Sequence, residues 1–286
     1  MARAQGPMVK RRQMGRELQA LRETSGLTIE AAGTAIGRSD STISRIENGQ
    51  RDVQVIELKG LLDAYGATPE TREHLVAMQR AKPEASWWTA FELPPKLDTY
   101  IALEAEAAAL RVFALGAVHS LLRTEDYARA VLRGTSPSAP AEELDTLLSF
   151  HMQRQQVLVR PESAPLDIVA VLDEACLWRQ VGGLDCQREQ LKHLIQQAEE
   201  VPNVVVQVLP YSKGAHSALS GSFTILDFPD PEEPAVVYVD SPGGSLYLQK
   251  PKDARRFDQS HSRLRGMALD ETDSVQFMKT VLKEIK

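Results

Sequence analysis

The chain has 286 residues, 43% of them hydrophobic and 25% charged, with a formal net charge of −6. That length is too great for one small module and suggests two domains, and the composition excludes bulk disorder. No run of about 18 apolar residues occurs, the basic N-terminus MARAQGPMVKRRQ has no apolar stretch behind it, and the two cysteines, Cys176 and Cys186, make neither a disulfide framework nor a four-ligand zinc site. The expectation is a protein of the reducing cytoplasm, without membrane span, metal or cofactor.

Charge is unevenly spread. Residues 1–82 carry 13 Lys/Arg against 10 Asp/Glu, whereas residues 83–286 carry 20 against 29. A basic head on an acidic body fits a chain that offers a polyanion only its head.

The first helix is expected over residues 10–24, where Met14, Leu18 and Leu21 share one face and Ser25 and Gly26 end it. Thr28 is placed to cap a second short helix through Ile36, which Gly37 breaks. Ser39 is placed to cap a third, DSTISRIEN, that stops at Gly49. Val55, Leu58, Leu61, Leu62 and Tyr65 give a fourth, and Thr68 and Pro69 open a fifth that reaches about Ala81. Pro83 and the polar residues after it mark the boundary.

Beyond it, helices are expected over 98–115, 124–133 and 141–158. Strands follow at 166–172 and 203–209, separated by about 30 residues of helical character, the pattern of a parallel βαβ crossover. Three alternating strands come next, at 222–228, 236–240 and 245–249, with Pro242, Gly243 and Gly244 as a hairpin turn. Two helices, 251–268 and 273–285, close the chain. The fold expected is an all-α N-terminal domain of five helices (1–82) followed by an α+β domain with a mixed sheet (83–286).

The stretch LTIEAAGTAIGRSDSTISRIENGQR (27–51) carries a helix-turn-helix spacing. Gly33 is small where the third helix is expected to pass, and Gly37 sits in the turn. Ile43 and Ile46, three apart, face inward, which leaves Ser41, Ser44, Arg45 and Asn48 on the opposite face. This stretch resembles the Cro/repressor, or xenobiotic-response-element, branch of helix-turn-helix proteins. The resemblance implies a DNA-binding regulator, pairing as a homodimer on double-stranded DNA. Asp40, Ser41 and Arg45 match its base-reading positions, with Arg45 suited to a bidentate bond to guanine and Asp40 either to cytosine N4 or to the helix dipole. Ser39, Ser44, Asn48 and Arg51 fall to phosphate contacts, and Arg22 and Glu47 match a pair bridging the first and third helices. The family often has Gln where this chain has Ile29.

From about residue 87 the sequence resembles the large C-terminal domain of WhiJ-like or Scr-type antitoxin-like regulators. The matching stretches include EAEAAALR (104–111), LLRTEDYARA (121–130), VLDEACLWR (171–179), NVVVQVLP (203–210) and GSFTILDF (221–228). His119 and Ser120 stand where the family usually has Pro-Gly, so a surface built there differs in this chain. The resemblance implies a repressor whose C-terminal domain binds a small acidic protein encoded nearby; a small-molecule sensor is the alternative reading. No HExxH, GxSxG or GxxxxGK[ST] occurs. His216 lies near Ser217, Ser220 and, further on, Asp240, but a polar loop is the simpler reading, and Asp173 and Glu174 read as charges at a helix start. Trp87 and Trp88 are expected as buried aromatics of the domain joint, with stacking on a base or ligand as the alternative. No catalytic residue is assigned, and the domain is expected not to be an enzyme.

Overall fold

In a computed structural model the chain falls into two compact units, Met1–Trp87 and Trp88–Lys286. The structure describes residues 7–80, 87–91, 95–159, 164–241 and 244–285. The expected boundary at Pro83 and the turn residues Pro242 and Gly243 lie outside them.

The first unit is all-α: α1 (Pro7–Thr24), α2 (Ile29–Ile36), α3 (Asp40–Glu47), α4 (Val55–Ala64) and α5 (Pro69–Arg80). Each helix spends one stripe on a common core. Leu18 of α1, Ile43 of α3, Leu58 and Leu61 of α4 and Leu75 of α5 are fully buried there. α1 packs on α3 and α5, while α2 packs on α3 and α4. Ile29, in the place of the expected Gln, packs partly buried against the same core. The apolar side chain is spent on the fold and cannot reach out to a polar ligand.

The second unit is α+β. In chain order it holds α6 (Pro95–Glu106), β1 (Ala109–Ala114), α7 (Glu125–Thr135), α8 (Ala141–Arg154), β2 (Asp167–Asp173), α9 (Ala175–Trp178), α10 (Leu184–Glu200), β3 (Val204–Leu209), β4 (Phe223–Asp227), β5 (Val236–Val239), β6 (Leu246–Leu248), α11 (Pro251–Met267) and α12 (Glu271–Glu284). The sheet order is β3-β2-β1-β4-β5-β6. β1, β2 and β3 run parallel, while β1–β4, β4–β5 and β5–β6 pair antiparallel. The sheet is therefore mixed, with α9 and α10 in the crossover from β2 to β3.

One expectation is overturned here. Residues 98–115 do not form a continuous helix: α6 stops at Glu106, and Ala109–Ala114 form the strand β1. The alanine-rich run that favours helix is outweighed by non-local pairing, because β1 lies between β2 and β4 and satisfies its backbone on both sides. Trp87 is also not buried; it is 38% exposed. The Trp88 indole N–H donates to Asp98 Oδ1 at 3.0 Å.

β1 divides the sheet's two faces. Phe113 stands beside Val171 and Phe223 and packs with Ile225, Val237 and, from α11, Leu264. Arg111, on that same face, binds Asp227 at 2.7 and 2.9 Å and also pairs with Asp258 of α11. On the other face Val112, Thr224 and Tyr238 form one row across β1, β4 and β5. The Tyr100 ring of α6 lies 4.4 Å from that of Tyr238. Among the described residues no helix is long and apolar enough to cross a membrane.

Phe113 is fully buried at the centre of the sheet. Phe113→Ala is expected to cost the second unit about 3–5 kcal/mol through lost transfer energy and the cavity left behind. Urea denaturation followed by Trp178 fluorescence measures it. An unchanged midpoint would show that β1 is not central to this core.

Candidate nucleic-acid interface

The turn between α2 and α3 is set by local chemistry. Thr28 caps α2, its hydroxyl accepting from the Ala31 amide at 3.1 Å. Gly37 ends the helix with φ +66°, a left-handed conformation that side chains disfavour. The Arg38 amide then donates back to the Gly33 carbonyl at 2.8 Å. A Cβ on Gly33 would lie 2.6 Å from the Arg38 carbonyl oxygen. Gly33 is thus required by the turn folding back over α2, rather than by the passage of α3 that its position in the sequence implied.

α3 is held from beneath and at its end. Ile43 and Ile46 are buried at 0% and 2% exposure. At its last residue, Glu47 accepts two bonds from Arg22, Nε to Oε1 at 2.7 Å and Nη2 to Oε2 at 2.9 Å. The third arm of Arg22, Nη1, donates to the Leu27 carbonyl at 3.0 Å. One guanidinium therefore ties α1, the entry to α2 and the end of α3. The hydrogen bonds to Glu47 raise the Arg22 pKa above its ordinary value, against the opposing effect of burial. Gly15 of α1 completes the joint: a Cβ there would meet the Glu47 and Ile46 carbonyl oxygens at 2.5 and 2.6 Å. Sequence reading passed over Gly15, although a glycine inside a helical pattern is itself a sign of close packing.

The opposite face of α3 faces solvent. Ser39, Asp40, Ser41, Arg45 and Asn48 are exposed and Ser44 is half-buried. Ser39 occupies the N-cap position without capping a backbone amide; its hydroxyl shares hydrogen bonds with Ser41 and Thr42 at 3.0 and 3.1 Å. Arg45 Nε donates to the Ser41 carbonyl at 3.2 Å, which aligns the side chain along the helix. Asn48 turns its amide back onto the Ser44 carbonyl at 2.7 Å.

Arg51 does not stand free on this surface. Its Nη2 donates to Glu57 Oε1 at 3.0 Å, and Arg38 Nε donates to the same oxygen at 2.6 Å. The other Glu57 oxygen accepts from the Gln54 amide in the capping box that opens α4. Burial pushes the Glu57 carboxyl up, but the Gln54 amide and the two guanidinium groups outweigh it and hold it below its ordinary value. Arg38 lies directly before Ser39, and its side chain is 48% exposed. Sequence reading missed it because it sits in the turn rather than on the α3 periodicity.

In the second unit the imagined Ser-His-Asp arrangement is not brought together. Ser217 Oγ pairs with Ser260 Oγ at 2.7 Å, and Asp240 accepts from Ser245 Oγ at 2.9 Å. His216 instead lies 3.7 Å from Asp173 and accepts from the Ala218 amide at 3.3 Å. Glu174 binds the Tyr211 amide and the Trp178 indole. Among the described residues no group of three or more His, Cys, Asp or Glu is placed to hold a metal ion.

Glu47→Ala leaves Arg22 buried without its carboxylate and is expected to cost the first unit about 3–5 kcal/mol. The double variant Arg22→Met/Glu47→Leu is expected to regain most of that loss. Chemical denaturation followed by circular dichroism compares the three proteins. A single variant as stable as wild type would show that the clamp does not hold α3.

Comparison with known families matches both units. A model described as "Helix-turn-helix domain" matches residues 13–75, which span most of α1 through the middle of α5. No curated protein matches the chain. A second model, described as "Domain of unknown function (DUF5753)", matches residues 97–280, well over half of the sequence. The chain therefore carries an N-terminal helix-turn-helix domain and belongs to the DUF5753 family.

Proposed function

We propose that this protein is a sequence-specific DNA-binding regulator of transcription that lays α3 in the major groove. The observation that carries this reading is the polar ridge of α3, presented on a helix whose other face is buried and whose end is clamped by Arg22 and Glu47. A recognition helix must be held rigidly, because reading base edges depends on sub-ångström placement. Arg45 reads a guanine through its two outer guanidinium nitrogens, which make no bond among the described residues, while its Nε is occupied by Ser41. Asp40 and Ser41 flank it as further base contacts. Ser39, Ser44 and Asn48 position the helix on phosphates. Arg51 contributes from its pairing with Glu57, and the half-exposed Arg38 joins it. Two copies bind a two-fold-related site, since a single head makes too few contacts for specificity. The role assigned is repression, in the cytoplasm.

Arg45→Ala is expected to weaken binding to the cognate site by about 1–3 kcal/mol and to relax preference at one base pair per half-site. Selection from a random duplex library, followed by titration of both proteins over a salt series, measures this. Equal affinities throughout would remove Arg45 from base readout.

The second unit we assign to control of the head by a small acidic partner protein, as the WhiJ-like, antitoxin-like resemblance of its sequence implies. The sheet edge favours this reading. The outer edge of β3 is already covered, with the Leu269 amide on the Val208 carbonyl and Ser274 Oγ accepting from the Val208 amide. β6 is the last strand at the opposite end and carries an exposed Leu246, and we take this end of the sheet as the docking region. Leu246→Glu places a charge of the partner's own sign on that edge and is expected to abolish partner capture from native cells while leaving operator binding intact. Capture undiminished by the substitution would reject β6 as the docking edge.

A further inference from the structure

The second unit contains a charged group that DNA binding does not use. A cleft of about 610 Å³ opens over the row of Val112, Thr224 and Tyr238. Its remaining walls include His119, Arg123, His151 and Arg154. The size falls within the range of small-molecule sites, roughly 300–1,000 Å³.

The charged groups of this cleft are not all paired. Arg154 is fully engaged: Nε and Nη2 each bind Glu104 at 2.5 Å, and the guanidinium lies 5.0 Å from the centre of the Tyr100 ring. Arg123 has no such partner. Its Nε donates to the Val118 carbonyl at 2.7 Å, and no carboxylate among the described residues pairs with it. Burial lowers its pKa to about 10, so it stays cationic at neutral pH. Burial, with Arg154 and Arg123 adding to it, holds both His119 and His151 far below their ordinary value, His151 at about 3. Both rings are neutral at pH 7 and contribute no charge. Asp240, the one carboxylate lining the cleft, is exposed and is hydrogen-bonded by Ser245.

Arg154 thus has Glu104 as its partner and Asp240 stands at the exposed rim, whereas Arg123 pairs with no carboxylate among the described residues. Arg123 is half-buried, and a partly desolvated cation without a carboxylate is stabilised by an anion that enters the cleft. Neutral donors stand beside it. His119 Nδ1 accepts from the Leu121 amide at 3.4 Å, which places the ring proton on Nε2. His151 Nδ1 is buried without a partner.

We propose that this cleft binds a small organic monocarboxylate, its acid group taken by Arg123 and His119 and its apolar body laid against Val112 and Leu132. A guanidinium fork matches a carboxylate bidentately, and a lone guanidinium matches a monoanion better than a phosphate dianion. His119 and Ser120 line this cleft with Arg123. The proposal concerns the second unit and stands independently of DNA binding.

The test is calorimetric titration and thermal shift of the full chain with hexanoate, benzoate, phenylacetate and indole-3-acetate. Their neutral amides and phenyl phosphate serve as comparisons. Saturable binding of an acid, with its amide inert, is the expected result. Arg123→Met is expected to weaken that binding roughly ten- to a hundred-fold. The melting temperature of the ligand-free variant should stay level or rise, because an unpaired cation has been removed. Thr135→Trp, at an exposed wall position, should block binding without altering the circular dichroism spectrum. The proposal is overturned if no acid binds saturably at millimolar concentration, or if amides or phenyl phosphate bind as tightly. It is also overturned if Arg123→Met retains full affinity or melts well below wild type, since the guanidinium is then a structural prop.

Discussion

A guanidinium or carboxylate removed from water must meet its opposite, and both units of this protein are organised by that requirement. In the first unit Arg22 and Glu47, 25 residues apart, close a buried bidentate pair that fixes the end of α3 against α1. In the second, Arg154 and Glu104, 50 residues apart, do the same between α8 and α6. Glu57, buried at the start of α4, draws Arg38 and Arg51 together in the same way. Such pairs give little net stability over a well-packed apolar substitute, but breaking one is expensive, so they specify which segments must meet. Arg123 departs from this pattern: half-buried, it bonds the Val118 carbonyl and pairs with no carboxylate among the described residues.

The geometry of the helix-turn-helix head depends on three glycines. Gly33 lets the turn fold back and Gly15 lets α1 press onto the carbonyl end of α3, each removing a clash where backbone meets backbone. Gly37 has open space around it and is needed instead for its left-handed φ. α3 is only eight residues long, too short to be stable by propensity, and its helicity comes from the packing of Ile43 and Ile46 and from the clamp at Glu47. The same residues that make the helix possible orient its polar face outward.

The second unit uses its sheet differently on its two sides. One face is a dry aromatic and aliphatic core under α11, closed by the Arg111, Asp227 and Asp258 network. The other carries Thr224 and Tyr238 next to Val112, and over these lies the cleft. A polar hydroxyl row on a central sheet face is unusual for a purely structural surface, because each buried hydroxyl needs a hydrogen-bond partner.

The sequence by itself determined the helical head, its turn residues and the inward Ile43 and Ile46, because these depend on local spacing of 3.6 and on glycine at fixed positions. It also determined the strands β2 to β6, whose apolar runs are bounded by turn residues. It did not determine β1: the run from Glu104 to Leu110 reads as helix, and only pairing with β2 and β4, 58 and 118 residues further along at Ala109, makes it a strand. Arg38 and Gly15 were likewise decided by tertiary structure, since each depends on a partner distant in sequence, and Arg51 is engaged across the loop before α4 by Glu57, six residues on. The unpaired charge of Arg123 was decided by tertiary structure too. A sequence records that an arginine is present, but whether a carboxylate answers it depends on which segments the fold brings within reach.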